Sequence, residues 1–121
     1  MASILIIDDD PAVRRLLLNA LTRMGHDVVE SSDGAEGVAQ YRASPSDVVI
    51  TDLYMPGQDG IETIQLLRDE FPEARILAIS GGATTGGNSL IDARLLGADA
   101  TLEKPFTLDQ LAGVVGGLLN G

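Results

Sequence analysis

The chain has 121 residues, 45% of them hydrophobic and 21% charged, which is the size and balance of one soluble globular domain, here residues 1–121. It contains no cysteine, which excludes disulfides, zinc–thiolate sites and thiol catalysis. Its formal net charge of −10 disfavours direct binding of nucleic acid, because such binding needs a basic surface.

The chain opens with a short apolar segment that is typical of a buried strand. Ile4–Ile7 is a continuous run rich in β-branched residues, as in strands that are covered on both faces of a parallel sheet. It reads as neither a signal peptide nor a membrane span, because no basic residue precedes it and aspartates follow at positions 8–10. Since every other apolar run is also too short to cross a bilayer, we expect a cytoplasmic protein without a membrane partner.

A helical pattern comes next and leads into a second strand. The apolar residues that recur at helical spacing are Leu16, Leu17, Ala20, Leu21 and Met24. Pro11 suits the first turn of this helix, and Gly25 indicates its end. The second strand is predicted over His26–Ser31, short and at or near an edge of the sheet.

The middle of the chain repeats this alternation. A weak second helix ends before Ser44-Pro45, and a third strand spans Asp47–Asp52. The apolar positions of the second helix are Gly37, Val38, Tyr41 and Ala43. After a turn marked by Pro56-Gly57 and Asp59-Gly60, a third helix ends before Pro72. The apolar positions of the third helix are Ile61, Ile64, Leu67 and Phe71.

Two further strand–helix pairs complete the pattern. The fourth strand is predicted over Arg75–Ser80, a fourth helix over Leu90–Leu96 and the fifth strand over Asp99–Glu103. Thr107 is expected to cap a last helix that runs through Leu119. Because right-handed crossovers connect parallel strands, five such units predict an α/β domain of three layers with a doubly wound parallel sheet.

Polar side chains follow four of the five predicted strands. They are Asp8-Asp9 after the first strand, Asp52 at the end of the third, Ser80 at the end of the fourth and Lys104 after the fifth. The carboxyl ends of parallel strands meet at one edge of the sheet, where ligands of such domains bind. We therefore expect residues nearly one hundred positions apart to form one pocket.

Several carboxylates in one pocket require a counter-charge. Each close pair repels by about 4 kcal/mol at an effective dielectric constant near 20. A divalent cation removes this repulsion, and Mg²⁺ is suitable because it prefers oxygen ligands and keeps water molecules that a phosphate can replace. Lys104 adds a positive charge that can hold a phosphoryl oxygen.

These residues together resemble the receiver domains of response regulators, a family of two-component phosphorelay systems that includes single-domain chemotaxis regulators. The matching positions are Asp8-Asp9, the segment DLYMPGQDG at 52–60, Ser80 and the segment KPF at 104–106. The match covers essentially the whole chain. It implies a flavodoxin-like (βα)5 fold whose five parallel strands have the order 2-1-3-4-5.

The resemblance also implies a role for each matching residue. Asp52 would be the phosphoacceptor and, with Asp9 and the backbone carbonyl of Tyr54, would bind Mg²⁺, which Mn²⁺ or Ca²⁺ could replace. Asp8 would act on the metal mainly through water. Lys104, followed by a cis bond to Pro105, would contact the phosphoryl group.

Further implications concern the signal. Ser80 would be the switch hydroxyl, and the phosphoryl donor would be a histidine kinase or a histidine phosphotransfer protein. Phosphorylation would then change the binding surface for an output protein that the sequence does not identify. The chain would catalyse only its own phosphorylation and dephosphorylation, as a monomer or as a weak dimer that depends on phosphorylation.

The sequence departs from the family pattern at two places. Thr101 stands where many receivers have an aromatic residue, so we expect the signal to depend on Ser80 and on a mobile glycine-rich loop at 81–87. Tyr54 would shield the phosphoryl group from water, whereas the small Gly82 would leave it open. The lifetime of the aspartyl phosphate is therefore left open.

Several alternatives accompany this interpretation. A phosphohydrolase of the haloacid dehalogenase type would use Asp8 and Asp10, although we expect Asp10 to cap the first helix. A degenerate receiver would bind its partner without phosphorylation, and the chain is either a stand-alone regulator or carrier, or a piece of a longer protein. We expect His26 to lie in an exposed loop, and the residues at 14–15 to form a solvated helix face or a kinase contact.

Overall fold

Five parallel strands form the centre of the molecule in a computed structural model that describes residues 2–53, 60–80 and 97–120. The strands are β1 (Ser3–Ile7), β2 (Asp27–Ser31), β3 (Val48–Asp52), β4 (Ile76–Ser80) and β5 (Ala100–Glu103). Their order in the sheet is β2-β1-β3-β4-β5, which confirms the predicted fold and places β2 at an edge. Each observed strand ends at its predicted residue and starts within one residue of the predicted start.

Helices connect the strands. Within the described ranges they are α1 (Pro11–Arg23), α2 (Gly34–Ala43), α3 (Gly60–Glu70) and α4 (Leu108–Asn120). The predicted helix at Leu90–Leu96 lies outside the described residues. None of the helices in those ranges is long and apolar enough to span a membrane.

Side-chain caps fix where these helices begin. The Asp10 side chain accepts a hydrogen bond from the Ala12 N–H (2.9 Å), so Asp10 caps α1 as predicted. Thr107 caps α4 as predicted, because its hydroxyl accepts the Gln110 N–H while the Gln110 side chain accepts the Thr107 N–H. Asp33 caps α2, which starts earlier than its apolar pattern suggests.

Two apolar layers cover the sheet, one on each face. Alternate residues of β1 point to opposite faces, as the period of a strand requires. On one face, Leu5 and Ile7 pack with residues of α2 and α3: Val38, Tyr41, Ile64 and Leu67. On the other face, Ile4 and Ile6 pack with residues of α1 and α4: Leu17, Leu21, Leu111 and Val115. Both faces are thus buried, as the continuous apolar run at the start of the chain predicted.

The first helical pattern is confirmed as a helix, but two of its apolar positions are not buried. Leu16 is 55% exposed, because the buried stripe of α1 is formed by Leu17, Ala20 and Leu21, and Leu16 lies outside it. Met24 is 36% exposed and follows the helix as its C-terminal cap rather than packing in the core. A helical spacing pattern alone does not separate a residue on the stripe from one at its margin.

Histidine 26 also differs from its prediction. His26 lies in the loop before β2, as predicted, but it is half-buried rather than exposed, and its Nδ1 accepts a hydrogen bond from the Ala2 N–H (3.3 Å). This contact connects the start of β1 to the start of β2. His26 therefore has a local structural role at the end of the sheet opposite the strand carboxyl ends.

Arg68 connects α3 to the residues just before β5, at the end of the sheet where the strands begin. Its Nε and Nη2 both donate to the Gly97 carbonyl (3.1 and 2.7 Å), and Nη2 also contacts Asp99 Oδ2 (2.7 Å). Asp99 Oδ2 additionally accepts the Ile76 N–H (2.8 Å). These contacts fix the amino ends of β4 and β5 relative to each other.

Candidate functional site

The turn after β1 holds two aspartates in different environments. Asp8 is buried (1% exposed), its N–H donates to the Ser31 carbonyl (3.1 Å), and its Oδ1 accepts the Asp10 N–H (2.9 Å). Asp9 is exposed. The buried carboxylate is thus held by the backbone, while its neighbour faces solvent at the mouth of the site.

The end of β3 supplies a third carboxylate, Asp52, which is 7% exposed. The chain enters α3 close beside it, because the Gly60 N–H donates to the Leu53 carbonyl (3.0 Å). A Cβ on Gly60 would lie only 1.9 Å from the Asp52 carbonyl oxygen and 2.5 Å from Leu53 Cα. Since both are backbone atoms, only glycine allows this approach of the helix to the strand end.

Lys104 brings the one positive charge that the described residues contribute to this cluster. Its Nζ lies 3.2 Å from Asp52 Oδ2 and 3.9 Å from Asp8 Oδ2. The Lys104–Pro105 bond is cis, as the family resemblance implied. The pocket therefore joins the ends of β1, β3 and β5 through direct contacts between charged groups.

The three aspartates form a donor set suited to a hard cation. One carboxylate oxygen from each of Asp8, Asp9 and Asp52 lies within 4.8 Å of the others. Opposite ligands of an octahedral Mg²⁺ are separated by roughly 4 Å at metal–oxygen distances of 2.0–2.1 Å. The residues present therefore fit a Mg²⁺ ion by ligand chemistry, and their oxygens lie close enough together for direct or water-mediated ligation.

The electrostatics of the pocket also favour a cation. Burial raises the pKa of Asp8 from its ordinary value of 3.8 to about 6, and the carboxylates of Asp52 and Asp9 act in the same direction. The hydrogen bond from the Asp10 N–H and the ammonium of Lys104 oppose this rise in the pKa. A bound divalent cation would stabilise the ionised form of Asp8 and reverse the shift.

The remaining predicted positions are only partly within the described residues. Ser80 ends β4 beside Glu103 of β5, which places it at the same sheet edge, but its description is limited to the backbone. Tyr54 and the glycine-rich loop at 81–87 lie outside the described residues. Thr101 lies half-buried in β5 beside Ala78.

The expectation of a solvated helix face was wrong for one member of the arginine pair, and the alternative of a kinase contact stays a prediction. Arg15 is exposed, as expected of a solvated helix face. Arg14 is instead turned towards the site, where its Nη1 donates to the Asp8 carbonyl (2.7 Å) and its Nε contacts Glu30 Oε1 (3.0 Å). Two adjacent arginines in a helical segment carry no sequence signal that separates these environments, and the contact between α1 and β2 decides between them.

Residues 4–115 match the family described as the response regulator receiver domain. The chain belongs to this family. It is 38% identical over 109 residues to the transcriptional regulatory protein TcrA of Mycobacterium tuberculosis, covering 89% of this chain and 42% of TcrA. It is 36% identical over 109 residues to the sensor protein EvgS of Escherichia coli, covering 90% of this chain and 9% of EvgS.

Solved structures agree with the assignment of this receiver domain. A two-component response regulator of the LuxR family from Aurantimonas sp. SI85-9A1 is 31% identical and matches with a TM-score of 0.92, covering 100% of this chain and 86% of that one. The chain spans less than half the length of the two curated relatives described above.

Proposed function

We propose that this receiver domain accepts a phosphoryl group on Asp52 in a reaction that depends on Mg²⁺. The observation that carries the proposal is the contact of Asp52 with Lys104 beside the carboxylates of Asp8 and Asp9. A nucleophilic carboxylate, a lysine and an acidic metal-binding group are the parts that phosphoryl transfer to an aspartate requires.

In the proposed reaction a carboxylate oxygen of Asp52 attacks the phosphorus atom of the donor. A P–O bond to Asp52 forms, the P–N bond of a phosphohistidine breaks, and the leaving imidazole takes up a proton. Mg²⁺, when bound by Asp9 and Asp52 with Asp8 nearby, supplies the positive charge that neutralises the phosphoryl oxygens. Lys104 would hold a phosphoryl oxygen, since its Nζ already lies 3.2 Å from the acceptor carboxylate.

We further propose that the donor is a histidine kinase or a histidine phosphotransfer protein in the cytoplasm. The likeness of this chain to part of the sensor protein EvgS supports a sensor as the source of the phosphoryl group. The chain would catalyse only its own phosphorylation and its own dephosphorylation. Its phosphorylated state would act on a partner through Ser80 and the loop at 81–87.

The alternative use of Asp8 and Asp10 as a phosphohydrolase pair loses support from the structure. The Asp10 carboxylate caps α1 through the Ala12 N–H, and Asp8 is buried against the Asp10 backbone. Because these hydrogen bonds hold both carboxylates in other roles, Asp10 is not placed to act as a general acid beside an Asp8 nucleophile. The other alternative, a degenerate receiver that binds its partner without phosphorylation, can be distinguished from our proposal only by experiment.

The experiment is incubation with acetyl phosphate and Mg²⁺, followed by the intact mass of the protein. We expect a gain of one phosphoryl group that chelation of Mg²⁺ prevents and that Asp52→Asn abolishes. Asp27→Asn is the matched control, because Asp27 is an exposed aspartate that pairs with Ser3 at the amino ends of β1 and β2, opposite the end of the sheet that carries the cluster. A gain that persists in Asp52→Asn, or one that is unchanged by chelation, would contradict the proposal.

A further inference from the structure

Arg14 makes two directed contacts behind the acidic turn. Its Nη1 donates to the backbone carbonyl of Asp8 (2.7 Å), and its Nε donates to Glu30 Oε1 on β2 (3.0 Å). The Arg14 side chain is only 18% exposed, whereas Arg15, the next residue of the same helix, is exposed. Arg14 thus connects α1, the edge strand and the turn that carries the acidic pair.

The position of the Asp8 carbonyl explains why this contact matters. β1 ends at Ile7, and the Asp8 N–H still pairs with the Ser31 carbonyl (3.1 Å) as an extension of the ladder. The Asp8 carbonyl lies at the point where the chain leaves the sheet and turns into α1. A buried backbone carbonyl needs a hydrogen-bond donor, and Arg14 supplies a charged one.

The guanidinium can fix the turn more firmly than a single hydrogen bond. Its nitrogens lie in one rigid plane, and Arg14 uses two of them on two different elements of the fold. Because the peptide plane between Asp8 and Asp9 contains the bonded carbonyl, fixing that plane restricts how both carboxylates project into the pocket.

We propose that Arg14 is a positioning residue that holds the Asp8–Asp9 turn in the conformation that binds a divalent cation. This inference rests on the proposed function, since it concerns the same metal-binding group. Arg14 does not touch the reacting atoms and acts through the backbone of Asp8. The bond to the carbonyl carries this role, and the contact of Nε with Glu30 orients the guanidinium that makes it.

The test measures the dissociation constant of Mg²⁺ by calorimetry on the full chain and on arginine variants. We expect Arg14→Met to weaken Mg²⁺ binding about tenfold or more, as loss of a group that orients a metal ligand usually does. Arg15→Met removes the same charge from the solvated face and should change the constant by less than about twofold. Glu30→Gln keeps an acceptor for Arg14 Nε and should have a similarly small effect.

Arg68→Met controls for a general loss of stability. Arg68 also donates to a backbone carbonyl, that of Gly97, but at the opposite end of the sheet. This variant should unfold more easily while its Mg²⁺ affinity stays within about twofold of the parent. Arg14→Lys keeps the charge but cannot make both contacts, so it should remain clearly weaker than the parent. Full recovery in Arg14→Lys, equal weakening in Arg68→Met, or unchanged affinity in Arg14→Met would overturn the inference.

A second measurement without metal separates this inference from the proposed function. In the presence of a chelator, amide hydrogen exchange at Asp8 and Asp10 should be faster in Arg14→Met than in the parent, while exchange at Leu77 in the centre of β4 is unchanged. Unchanged exchange at Asp8 and Asp10 would overturn the role of Arg14 even if the parent binds Mg²⁺. Conversely, a parent that binds no Mg²⁺ would refute the proposed function, and the exchange rates would still decide whether Arg14 holds the turn.

Discussion

Replacing Asp8 with asparagine should make the metal-free domain more stable at neutral pH. The Asp8 carboxyl is buried and has a pKa of about 6 in the folded protein against an ordinary value of 3.8. Asparagine has nearly the same shape, and its side-chain oxygen can still accept the Asp10 N–H that Asp8 Oδ1 accepts now. The substitution therefore removes the ionisation while keeping the local hydrogen bond.

The size of the effect follows from the shift in the pKa. A difference of roughly 2 units corresponds to about 3 kcal/mol, which is an upper limit because neighbouring charges adjust, and we expect about 1–3 kcal/mol. Since the folded pKa lies above the unfolded one, ionisation of Asp8 opposes folding. Its cost is absent below about pH 4, grows as the pH rises to about 6, and is constant above that value.

The assay is urea denaturation of parent and Asp8→Asn at several pH values between 4 and 8, with a chelator present. The difference in the free energy of unfolding should be near zero at pH 4 and should favour the variant at pH 7. Asp10→Asn is the control, because it removes a charge from the same turn while asparagine still caps α1. A difference for Asp8→Asn that does not grow with pH would refute the reasoning. Saturating Mg²⁺ should reduce the advantage of the variant, because only the parent keeps all three carboxylates.

Two other predictions follow from the geometry, and a third follows from the glycine-rich sequence at 81–87. Gly60→Ala should lower the free energy of unfolding by about 2–3 kcal/mol, because its Cβ would meet the Asp52 carbonyl. Gly113→Ala in α4 meets nothing within 4 Å and should raise the free energy of unfolding by about 1 kcal/mol. Equal urea midpoints for the two variants would contradict this. Lys104→Met should slow phosphorylation by acetyl phosphate about tenfold or more without weakening Mg²⁺ binding, since it removes a positive charge beside the acceptor, and an unchanged initial rate would exclude that role. Hydrogen exchange across 81–87 should slow on phosphorylation, and exchange that stays the same would remove the loop from the switch.

The fold and the clustering of the charged residues at one sheet edge could be predicted because both follow from general properties of parallel sheets. The parallel sheet buries its strands on both faces, which produces apolar runs such as Ile4–Ile7 that are easy to recognise. The carboxyl ends of such strands share one edge, so Asp8, Asp52 and Lys104 could be placed together without coordinates. Capping residues likewise act locally, and Asp10 and Thr107 behave as predicted.

What the sequence could not predict depends on contacts between distant elements. Arg14 and Arg15 are identical residues in one helix, and only the position of β2 beside α1 turns Arg14 inward to Glu30. Gly60 was identified as a turn residue, but its close approach to the Asp52 backbone follows from the packing of α3 against β3. The pKa of Asp8 similarly reflects burial, which no local pattern reveals.

Identifying the phosphorylated residue tests the central claim most directly. After reaction with acetyl phosphate and Mg²⁺, hydroxylamine converts an aspartyl phosphate into a hydroxamate that survives digestion. Cleavage after arginine and lysine separates the peptide 43–68, which contains Asp52, from the peptide that ends at Arg14 and contains Asp8 and Asp9. We predict that the hydroxamate is found in peptide 43–68 at Asp52. A hydroxamate at Asp8 or Asp9 would contradict the account, as would a phosphoryl group that hydroxylamine leaves in place.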